Sequence, residues 1–304
     1  MIKKVSIIGL GALGMMYGKN LTEALGYENV SFIMNRERYE KNRTKKYICN
    51  DEEYRFHLVT VDEAEPADLV IVAVKYPGLK DTLEDMSGSV GPETVIMSVM
   101  NGISSEKVLA DRFGEEKIIY TVAQGMDAAK FGDRLSYSKM GELHIGLGSG
   151  GKIENLNAVM DVLDRADLTY VKEDDIIHRI WAKFMLNVGA NQTSMVYKTT
   201  YGGLIAEEEP HYIFISAMRE VIAVAKAEGI TLTEDELSAY VRLTGSLKGD
   251  LMPSMAQDRI NQKPCEVDAF SGALIELAEK HGIYVPVNRY LNRRAKEIEK
   301  EYLK

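Results

Sequence analysis

A short apolar segment followed at once by closely spaced glycines is the feature that most constrains this sequence. The segment Val5 to Ile8 leads into a turn, and a helical stretch runs from Met15 to Leu25. The turn consists of Gly9, Leu10, Gly11, Ala12, Leu13 and Gly14. In a strand-turn-helix of this pattern the first glycine permits the tight turn, the second lets phosphates approach the backbone, and the third allows close helix packing. Phosphate charge is also favoured at a helix N-terminus. The pattern predicts a dinucleotide site, with an ordinary tight turn as the alternative.

The first half of the chain alternates between strand-like and helix-like segments. Further strands are predicted at Val30–Met34, Leu69–Val74, Val95–Val99 and Ile118–Ala123. This alternation is typical of a parallel sheet with crossover helices. The continuous apolar run from Leu69 to Val74 suits a strand covered on both faces, close to the first strand. The predicted fold class is therefore α/β, with a Rossmann-type N-terminal domain.

The pattern changes before the second half. Other predicted elements are antiparallel additions at Arg134–Tyr137 and Glu142–Ile145, a helix at Ile153–Arg165 and a last strand at Leu168–Val171. From Glu173 onward long helical periodicities dominate, the longest running from Asp174 to Lys198. A chain of 304 residues is long enough for two domains. We predict a dinucleotide-binding domain over residues 1–171 and an all-α substrate domain over residues 172–304.

Composition excludes several classes of function. The 37 basic and 46 acidic residues give a net charge of −9, which disfavours nucleic-acid or anionic-membrane partners. No apolar run approaches the roughly 18 residues of a membrane span, and no secretory signal is visible. The two cysteines and five histidines are scattered, so we predict no metal site and a cytoplasmic location.

Polar residues follow several of the predicted strands. Asn35-Arg36-Glu37-Arg38 stands where an enzyme using the unphosphorylated cofactor usually has a carboxylate, and Arg36 or Arg38 could pair with a 2′-phosphate. The alternative is a solvated helix start. Lys75 and Asn101 come at the ends of two further strands, where ligands collect in such sheets. Taken singly, each is equally an exposed lysine or a turn asparagine.

A polar stripe marks the longest helix. Lys183, Asn187 and Asn191 recur at the spacing of one helix face, beside otherwise apolar turns. This face is interpreted as lining a wet cleft, although an exposed amphipathic face has the same spacing. Two later segments, Ser254 to Asp258 and Cys265 to Asp268, are polar and could by themselves be helix caps.

One motif is a decoy. Residues 146–153 match the glycine-lysine pattern of nucleotide-hydrolysing loops, between a strand-like and a helical segment. Ile153 stands where such a loop needs a hydroxyl group for magnesium. We interpret the stretch as a strand-to-helix connection.

Taken together and in order, these motifs resemble those of the ketopantoate reductase (2-dehydropantoate 2-reductase) family over essentially the whole chain. The matching positions are Gly9, Gly11 and Gly14, Arg36, Val74-Lys75, Asn101-Gly102, Trp181 through Asn191, Ser254 through Asp258, and Glu266 through Asp268. Two positions depart from the family pattern. Cys265 replaces a more usual hydroxyl residue, and Tyr201 precedes Gly202 where some members have asparagine.

The resemblance implies a role for each matching residue. Lys183 would be the general acid that protonates the carbonyl oxygen as hydride arrives, and Glu266 would position substrate and lysine. The remaining implied contacts are Asn101 with nicotinamide and substrate, Lys75 with the cofactor, Asn187 and Asn191 with substrate polar groups, and Ser254 with the substrate carboxylate.

The resemblance predicts a cytoplasmic reductase that converts 2-dehydropantoate to (R)-pantoate with NADPH in pantothenate biosynthesis. Two alternatives stay open: a 2-hydroxy-acid dehydrogenase acting on another branched 2-oxo acid, and a regulator that binds NADP(H) without turnover. The late amphipathic segments Val267–Lys280 and Val287–Tyr302 fit a homodimer interface or core packing within one chain.

Overall fold

The computed structural model describes residues 1–303, which divide into two units. The first unit comprises residues 1–101 and 105–176, and the second comprises residues 102–104 and the described residues from 177 onward. Two clusters of buried apolar side chains form the core of the first unit, and one cluster forms the core of the second. The domain boundary expected after residue 171 stays a prediction.

The described chain contains twelve strands. In chain order they are β1 (Val5–Ile8), β2 (Val30–Met34), β3 (Tyr47–Cys49), β4 (Glu52–Tyr54), β5 (His57–Thr60), β6 (Leu69–Val72), β7 (Val95–Ser98), β8 (Ile118–Gln124), β9 (Ala129–Phe131), β10 (Arg134–Ser136), β11 (Glu142–Leu147) and β12 (Tyr170–Lys172). Eight of them form the main sheet in the order β12-β11-β8-β7-β6-β1-β2-β5. Every neighbouring pair from β8 to β5 is parallel. The predicted α/β fold class is confirmed.

Helices cover the sheet and build the second unit. In chain order they are α1 (Ala12–Leu25), α2 (Arg36–Asn42), α3 (Leu79–Asp85), α4 (Ser105–Phe113), α5 (Ile153–Arg165), α6 (Ile176–Tyr197), α7 (Tyr201–Ala206), α8 (Glu208–Ala227), α9 (Glu234–Ser246), α10 (Ser254–Ile260), α11 (Ala273–Lys280) and α12 (Pro286–Tyr302). A five-residue π-helix, Asp268–Gly272, lies directly before α11. The predicted helical character of the C-terminal half is confirmed.

Strand β6 pairs with β1, as its continuous apolar run predicts, and all four of its residues are buried. It ends at Val72, earlier than predicted. The N–H of Ala73 still donates to the carbonyl of Ile8 at 2.8 Å, and the chain then bends into a short 3₁₀ turn, Tyr76–Gly78. Pro77 has no N–H with which to extend the ladder.

The antiparallel additions are only partly as predicted. Strand β11 runs antiparallel to β8 in the main sheet, as expected. Strand β10 instead belongs to a separate sheet of order β4-β3-β10-β9, where it is antiparallel to β9 and parallel to β3. Buried Tyr47, Cys49 and Leu135 give this small sheet an apolar face on the first core. Three-residue strands are too short to show an alternating pattern, so their partners could not be predicted.

The glycines of the decoy motif are explained by packing. Gly146 lies in β11, and α5 has the bounds predicted for it. A Cβ on Gly146 would lie 2.7 Å from the Cβ of Ile176, and one on Gly148 would lie 2.2 Å from Oε1 of Glu115. The stretch is a strand-to-helix connection that the surrounding side chains fill, as the sequence predicts.

Helix α6 is the first and longest helix of the C-terminal half. It ends one residue before the predicted end, and its apolar side is the predicted one: Ile180, Trp181, Phe184 and Val188 are buried. Ile177 is half-buried and packs against the same core. The polar stripe of this helix therefore lies beside a well-packed apolar face.

The two late amphipathic segments contribute to the same core. The buried residues of α11 and α12 include Leu274, Ala278, Leu291, Ala295 and Ile298. Their apolar faces thus pack within the second unit. Of the two interpretations that the sequence allowed, a homodimer interface or core packing within one chain, this is core packing.

Both cysteines are free and buried. Burial raises the pKa of the Cys49 thiol and raises that of Cys265 to about 12.

Within residues 1–303 no helix is long and apolar enough to cross a bilayer. The same residues contain no group of three or more histidine, cysteine or acidic side chains that could hold a metal ion.

Candidate active site

One row of residues crosses four neighbouring parallel strands of the first unit. It consists of Ile33 in β2, Ile8 in β1, Val72 in β6 and Ser98 in β7. Arg36, Lys75 and Asn101 each come three residues after this row, and the glycine turn follows Ile8 directly. Because parallel strands end at the same edge, the first unit brings the predicted cofactor-binding residues to one edge of its sheet, where open α/β sheets bind ligands.

The glycine turn ends in an uncapped helix. Gly9 has φ +116°, and Gly11 is the N-cap of α1. The helix begins at Ala12, three residues earlier than predicted, so Leu13 and Gly14 belong to its first turn. No side chain caps this end and no acidic residue lies in the first turn. The N–H groups of a first helical turn have no carbonyl partners within the helix, so they are available to an anion.

The three glycines differ in how closely other atoms surround the position of a Cβ. A Cβ on Gly9 would lie 2.4 Å from the carbonyl oxygen of Ala73, and one on Gly14 would lie 2.0 Å from that of Gly9. A Cβ on Gly11 would have only one neighbour, the Ala73 oxygen at 3.7 Å. Gly9 and Gly14 are therefore required by the fold, whereas Gly11 leaves open space above the turn. Open space and uncapped N–H groups fit a dinucleotide pyrophosphate.

A lysine that the sequence did not single out lies at this turn. Lys130 in β9 donates from Nζ to the carbonyl of Leu10 at 2.5 Å, and its ammonium lies 5.7 Å from the ring centroid of Tyr47. The small second sheet thus supplies a half-buried cation to the glycine turn. No local pattern could reveal this contact, because 120 positions separate the two residues.

The residues after β2 form a helix start. Asn35 is the N-cap of α2 and accepts a 3.0 Å hydrogen bond from the N–H of Arg38. Arg36 and Arg38 are both exposed in the first turn. The Thr60 hydroxyl is the main cause of a lowered pKa at Glu63, and the Arg36 guanidinium lowers it further. Arg36 therefore presents an accessible guanidinium close to the carboxyl edge of the sheet.

Lys75 and Asn101 are held differently. Lys75 is exposed and precedes the 3₁₀ turn, where its carbonyl accepts from the N–H of Gly78 at 2.9 Å. Asn101 is half-buried, and the buried Ser98 hydroxyl before it accepts from Met100 N–H at 3.3 Å. The Asn101 segment is thus fixed by side-chain hydrogen bonding, whereas the Lys75 segment is fixed by a backbone turn.

The second unit links three of the predicted substrate residues by hydrogen bonds. Ser254 donates from its hydroxyl to Oδ1 of Asn191 at 2.8 Å, and Asn191 donates from Nδ2 to Oδ1 of Asn187 at 3.2 Å. Asn191 is 8% exposed, while Asn187 and Lys183 on the same side of α6 are half-buried. A row of polar groups therefore runs from the start of α10 along the face of α6 that carries Lys183.

The loop before Ser254 is held by the start of α7. Tyr201 N–H donates to the Leu251 carbonyl at 2.9 Å, and Gly202 N–H donates to the Gly249 carbonyl at 3.0 Å. A Cβ on Gly202 would lie 2.9 Å from that Gly249 oxygen. Gly202 therefore permits a close backbone contact that positions the entry to α10.

Glu266 is buried, with 7% exposure, in the segment between α10 and the π-helix. One face of α12 holds this segment. The three contacts are Tyr302 OH to the Lys263 carbonyl at 3.1 Å, the Glu299 carboxylate to Cys265 N–H at 2.7 Å, and Lys296 Nζ to Asp268 at 2.7 Å. The second unit therefore contains Lys183, Asn187, Asn191, Ser254 and Glu266, each on an element with defined support.

Comparison with known proteins decides the family. Residues 5–150 match the family described as Ketopantoate reductase PanE/ApbA, and residues 175–299 match Ketopantoate reductase PanE/ApbA C terminal. The chain belongs to the ketopantoate reductase PanE/ApbA family. The resemblance inferred from the motifs is confirmed. The family is one of NAD(P)-dependent 2-oxo acid reductases, so the cofactor class is a nicotinamide dinucleotide.

Individual relatives match nearly the whole chain. The 2-dehydropantoate 2-reductase of Streptococcus pyogenes serotype M1 is 28% identical and covers 94% of this chain and 95% of its own length. A structure of D-mandelate dehydrogenase with NADH and anilino(oxo)acetate is similar in fold, with TM-score 0.86, 23% identity and coverage of 98% and 99%. The dimeric ketopantoate reductase of Staphylococcus aureus has TM-score 0.82, 19% identity and coverage of 98% and 99%.

The contrast between Gly11 and Gly14 predicts two different defects. Gly11→Ala should leave the melting temperature near that of the unaltered protein and weaken binding of the nicotinamide dinucleotide about tenfold or more, because the methyl group enters the space predicted for its pyrophosphate. Gly14→Ala should destabilise the protein by about 1–3 kcal/mol through overpacking against the Gly9 carbonyl. Thermal unfolding and a fluorescence titration with NADPH measure the two effects. Unaltered NADPH affinity in Gly11→Ala would contradict this account of the turn.

Proposed function

We propose that this protein catalyses the NADPH-dependent reduction of 2-dehydropantoate to (R)-pantoate, as a step of pantothenate biosynthesis. The observation that carries the proposal is the hydrogen-bonded row Ser254, Asn191 and Asn187 on the helix face of Lys183. In a family of 2-oxo acid reductases, this row offers hydroxyl and amide groups to a polar anionic substrate beside a proton donor.

Proton transfer is the role proposed for Lys183. The reduced nicotinamide, when bound, supplies the hydride that adds to the carbonyl carbon. The carbonyl oxygen then gains negative charge, and the Lys183 ammonium both stabilises it and donates the proton that completes the hydroxyl group. Glu266 fixes the orientation of the lysine and the substrate. Its carboxylate suits this role because it is buried and because Glu299 anchors the neighbouring backbone at Cys265.

Substrate binding is the role proposed for the amide row. Asn187 and Asn191 bind polar groups of the 2-oxo acid, and Ser254 at the N-terminus of α10 binds its carboxylate. Asn191 is already fixed by Ser254 and by the N–H of Met255 at 3.4 Å, so little side-chain freedom is lost on binding. Asn101 completes the substrate contacts and also contacts the nicotinamide.

The first unit is proposed to hold the cofactor. Residues 9–14 bind the pyrophosphate, Lys75 adds a cation at the same sheet edge, and Arg36 pairs with the 2′-phosphate of NADPH. The exposure of Arg36 and its position after β2 support this choice over NADH.

A second candidate is a 2-hydroxy-acid dehydrogenase acting on another branched or aromatic 2-oxo acid. The fold similarity to D-mandelate dehydrogenase supports this candidate, because the same fold also carries a dehydrogenase of an aromatic 2-hydroxy acid. A third, a regulator that binds NADP(H) without turnover, makes no use of Lys183 or Glu266.

We also propose that the chain works as a cytoplasmic homodimer. The Staphylococcus aureus relative is dimeric, and two buried free thiols suit a reducing compartment.

The proposed function is tested by measuring NADPH consumption with 2-dehydropantoate and two analogues. Trimethylpyruvate differs from 2-dehydropantoate only by lacking the hydroxyl group, and benzoylformate is the oxo acid of mandelate. We expect kcat/KM for 2-dehydropantoate to exceed the values for both analogues by about 100-fold or more. The analogues lack the hydroxyl group, so polar groups of the site that would bind it stay unpaired. Preference for benzoylformate would favour the second candidate. Binding of NADPH without consumption of it by any 2-oxo acid would favour the regulator.

Removing either proposed catalytic group should abolish turnover without unfolding the protein. Lys183→Ala and Glu266→Ala are expected to lower kcat by about 10²- to 10⁴-fold, because proton donation or its alignment is lost. Lys226→Ala and Glu276→Gln, at exposed positions of α8 and α11, are the matched controls. Circular dichroism checks folding. Near-normal rates in both site variants would refute the assigned roles.

The cofactor preference is tested at Arg36. Arg36→Ala should raise KM for NADPH about 10- to 100-fold, which is the loss of affinity expected when one charge-assisted hydrogen bond is removed. KM for NADH should be unchanged, because NADH has no 2′-phosphate. Arg43→Ala, which removes an exposed arginine at the C-cap of α2 that pairs with Glu40 of that helix, is the control. Equal effects on both cofactors, or a preference of the unaltered protein for NADH, would overturn this part of the proposal.

A further inference from the structure

The π-helix after Glu266 changes the hydrogen bonding of the backbone. Gly272 N–H donates to the Val267 carbonyl at 3.0 Å, five residues back. The same oxygen accepts from Phe270 N–H at 3.3 Å and from the Ser271 hydroxyl at 3.4 Å. Ser271 N–H, the usual helical donor to this carbonyl, bonds to another element instead. Ser271 is fully buried. A buried N–H without an acceptor is costly, so the π-turn depends on an acceptor from another element.

Gln192 of α6 supplies that acceptor. Its Oε1 accepts from Ser271 N–H at 3.2 Å, and the Gln192 side chain is fully buried. Its amide nitrogen donates to the Val188 carbonyl at 2.8 Å and to Oδ1 of Asn288 at 3.3 Å. Since an amide nitrogen can only donate, these two acceptors fix the amide so that its oxygen faces Ser271.

The orientation of Asn288 is fixed in turn. Its Nδ2 donates to the Glu220 carboxylate at 2.8 Å and to the Ala217 carbonyl at 3.2 Å. The same carboxylate accepts the N–H groups of Val287 and Asn288 at the start of α12, both at 2.8 Å. Gln192 therefore links a buried polar network of α6, α8 and α12 to the backbone of the π-helix, while Asn292 of α12 donates from Nδ2 to the Ser271 hydroxyl at 3.0 Å.

The π-turn determines which way the preceding segment faces. One extra residue in a helical turn rotates the residues before it by about 100° relative to the residues after it. Phe270 and Leu274 are anchored in the core, so the turn, together with the three α12 contacts described above, sets the direction of Glu266, two residues before it. If Ser271 lost its acceptor, an ordinary helical turn would compete with the π-turn and shift Glu266 from its present direction.

We propose that Gln192 is a positioning residue: by accepting from Ser271 N–H it holds the π-turn that orients Glu266. The inference rests on the proposed function, in which Glu266 aligns substrate and Lys183. Gln192 touches neither the substrate nor the cofactor in this scheme and acts through Glu266 alone.

A double-mutant cycle tests the proposal. Gln192→Met removes the acceptor at similar volume and should lower kcat for 2-dehydropantoate about tenfold in the unaltered background, with the dissociation constant for NADPH unchanged. In a Glu266→Gln background the same change should cost less than about twofold, because the group it orients is already disabled. Equal losses in the two backgrounds, or no loss in the single variant, would overturn the proposal.

Two further variants separate positioning from general stability. Asn288→Leu removes the longer of the two acceptors of the Gln192 amide nitrogen but leaves the Val188 carbonyl at 2.8 Å, which keeps the Gln192 oxygen on Ser271 N–H. It should therefore lower the melting temperature and keep kcat within about twofold. Gln192→Glu keeps an acceptor for Ser271 N–H, and its carboxyl group, protonated because the position is fully buried, can donate to the Val188 carbonyl. It should therefore retain more of kcat than Gln192→Met, or remain active where Gln192→Met does not fold. A loss of kcat in Gln192→Glu equal to that in Gln192→Met would count against the proposal.

Failure of the proposed function has a different signature. An unaltered protein that consumes no NADPH with any of the 2-oxo acids would contradict the proposed function. Hydrogen exchange at the Ser271 amide then still tests the coupling: exchange should be faster in Gln192→Met than in Asn288→Leu. Equal protection of this amide in the two variants would refute the role of Gln192.

Discussion

The in-register ends of four parallel strands are the constraint on which the proposed cofactor site depends. The row from β2 through β1 and β6 to β7 sets where the chain leaves the sheet, and this position places the glycine turn, Arg36, Lys75 and Asn101. One backbone contact couples the exits of β1 and β6, because Gly9 lies against the Ala73 carbonyl, and a second holds α1 to the turn, because Gly14 lies against the Gly9 carbonyl. A bulkier residue at Gly9 would separate the turn from the segment that leads to Lys75, and one at Gly14 would separate the helix from the turn. The packing of the fold and the shape of the proposed site therefore depend on the same two glycines.

In the second unit, side-chain amides of α6 organise the site. Asn191 and Gln192 are adjacent, and successive residues of a helix point about 100° apart, so the two amides serve different elements. Asn191 bonds the start of α10 through Ser254, and Gln192 bonds the π-helix through Ser271. The helix that carries Lys183 thus also contacts the segments carrying Ser254 and Glu266, the latter together with α12. In the proposed function small errors in such a geometry would be costly for catalysis, which favours buried amides over apolar side chains at these positions.

The sequence predicted what local patterns determine. The apolar run before Gly9 and the strong periodicity of α5 gave those elements, the latter with correct bounds. It did not predict β3, β4, β9 or the sheet of β10, because three-residue strands have no period and the partners Ile48 and Arg134 are far apart in the chain. The π-helix was missed for a related reason: it depends on an acceptor from Gln192, which no pattern around Ser271 reveals. At the candidate site, the motifs and their order could be identified from the sequence, and the roles assigned to their residues stay predictions, whereas the contacts of Lys130 and Gln192 needed the tertiary structure.

The two departures from the family pattern can be assessed from their surroundings. Cys265 is 4% exposed, and burial raises the pKa of its thiol to about 12, so at neutral pH it stays uncharged beside Glu266. Glu299 accepts from its backbone N–H, which any residue there would offer, and also bonds its thiol, a contact that the more usual hydroxyl group could make as well. The identity of Tyr201 matters equally little to the α7 contact, because its N–H bonds the Leu251 carbonyl and the close approach depends on Gly202. Both substitutions keep the backbone contacts that support Ser254 and Glu266, so differences in substrate choice from relatives should arise from groups that face the substrate itself.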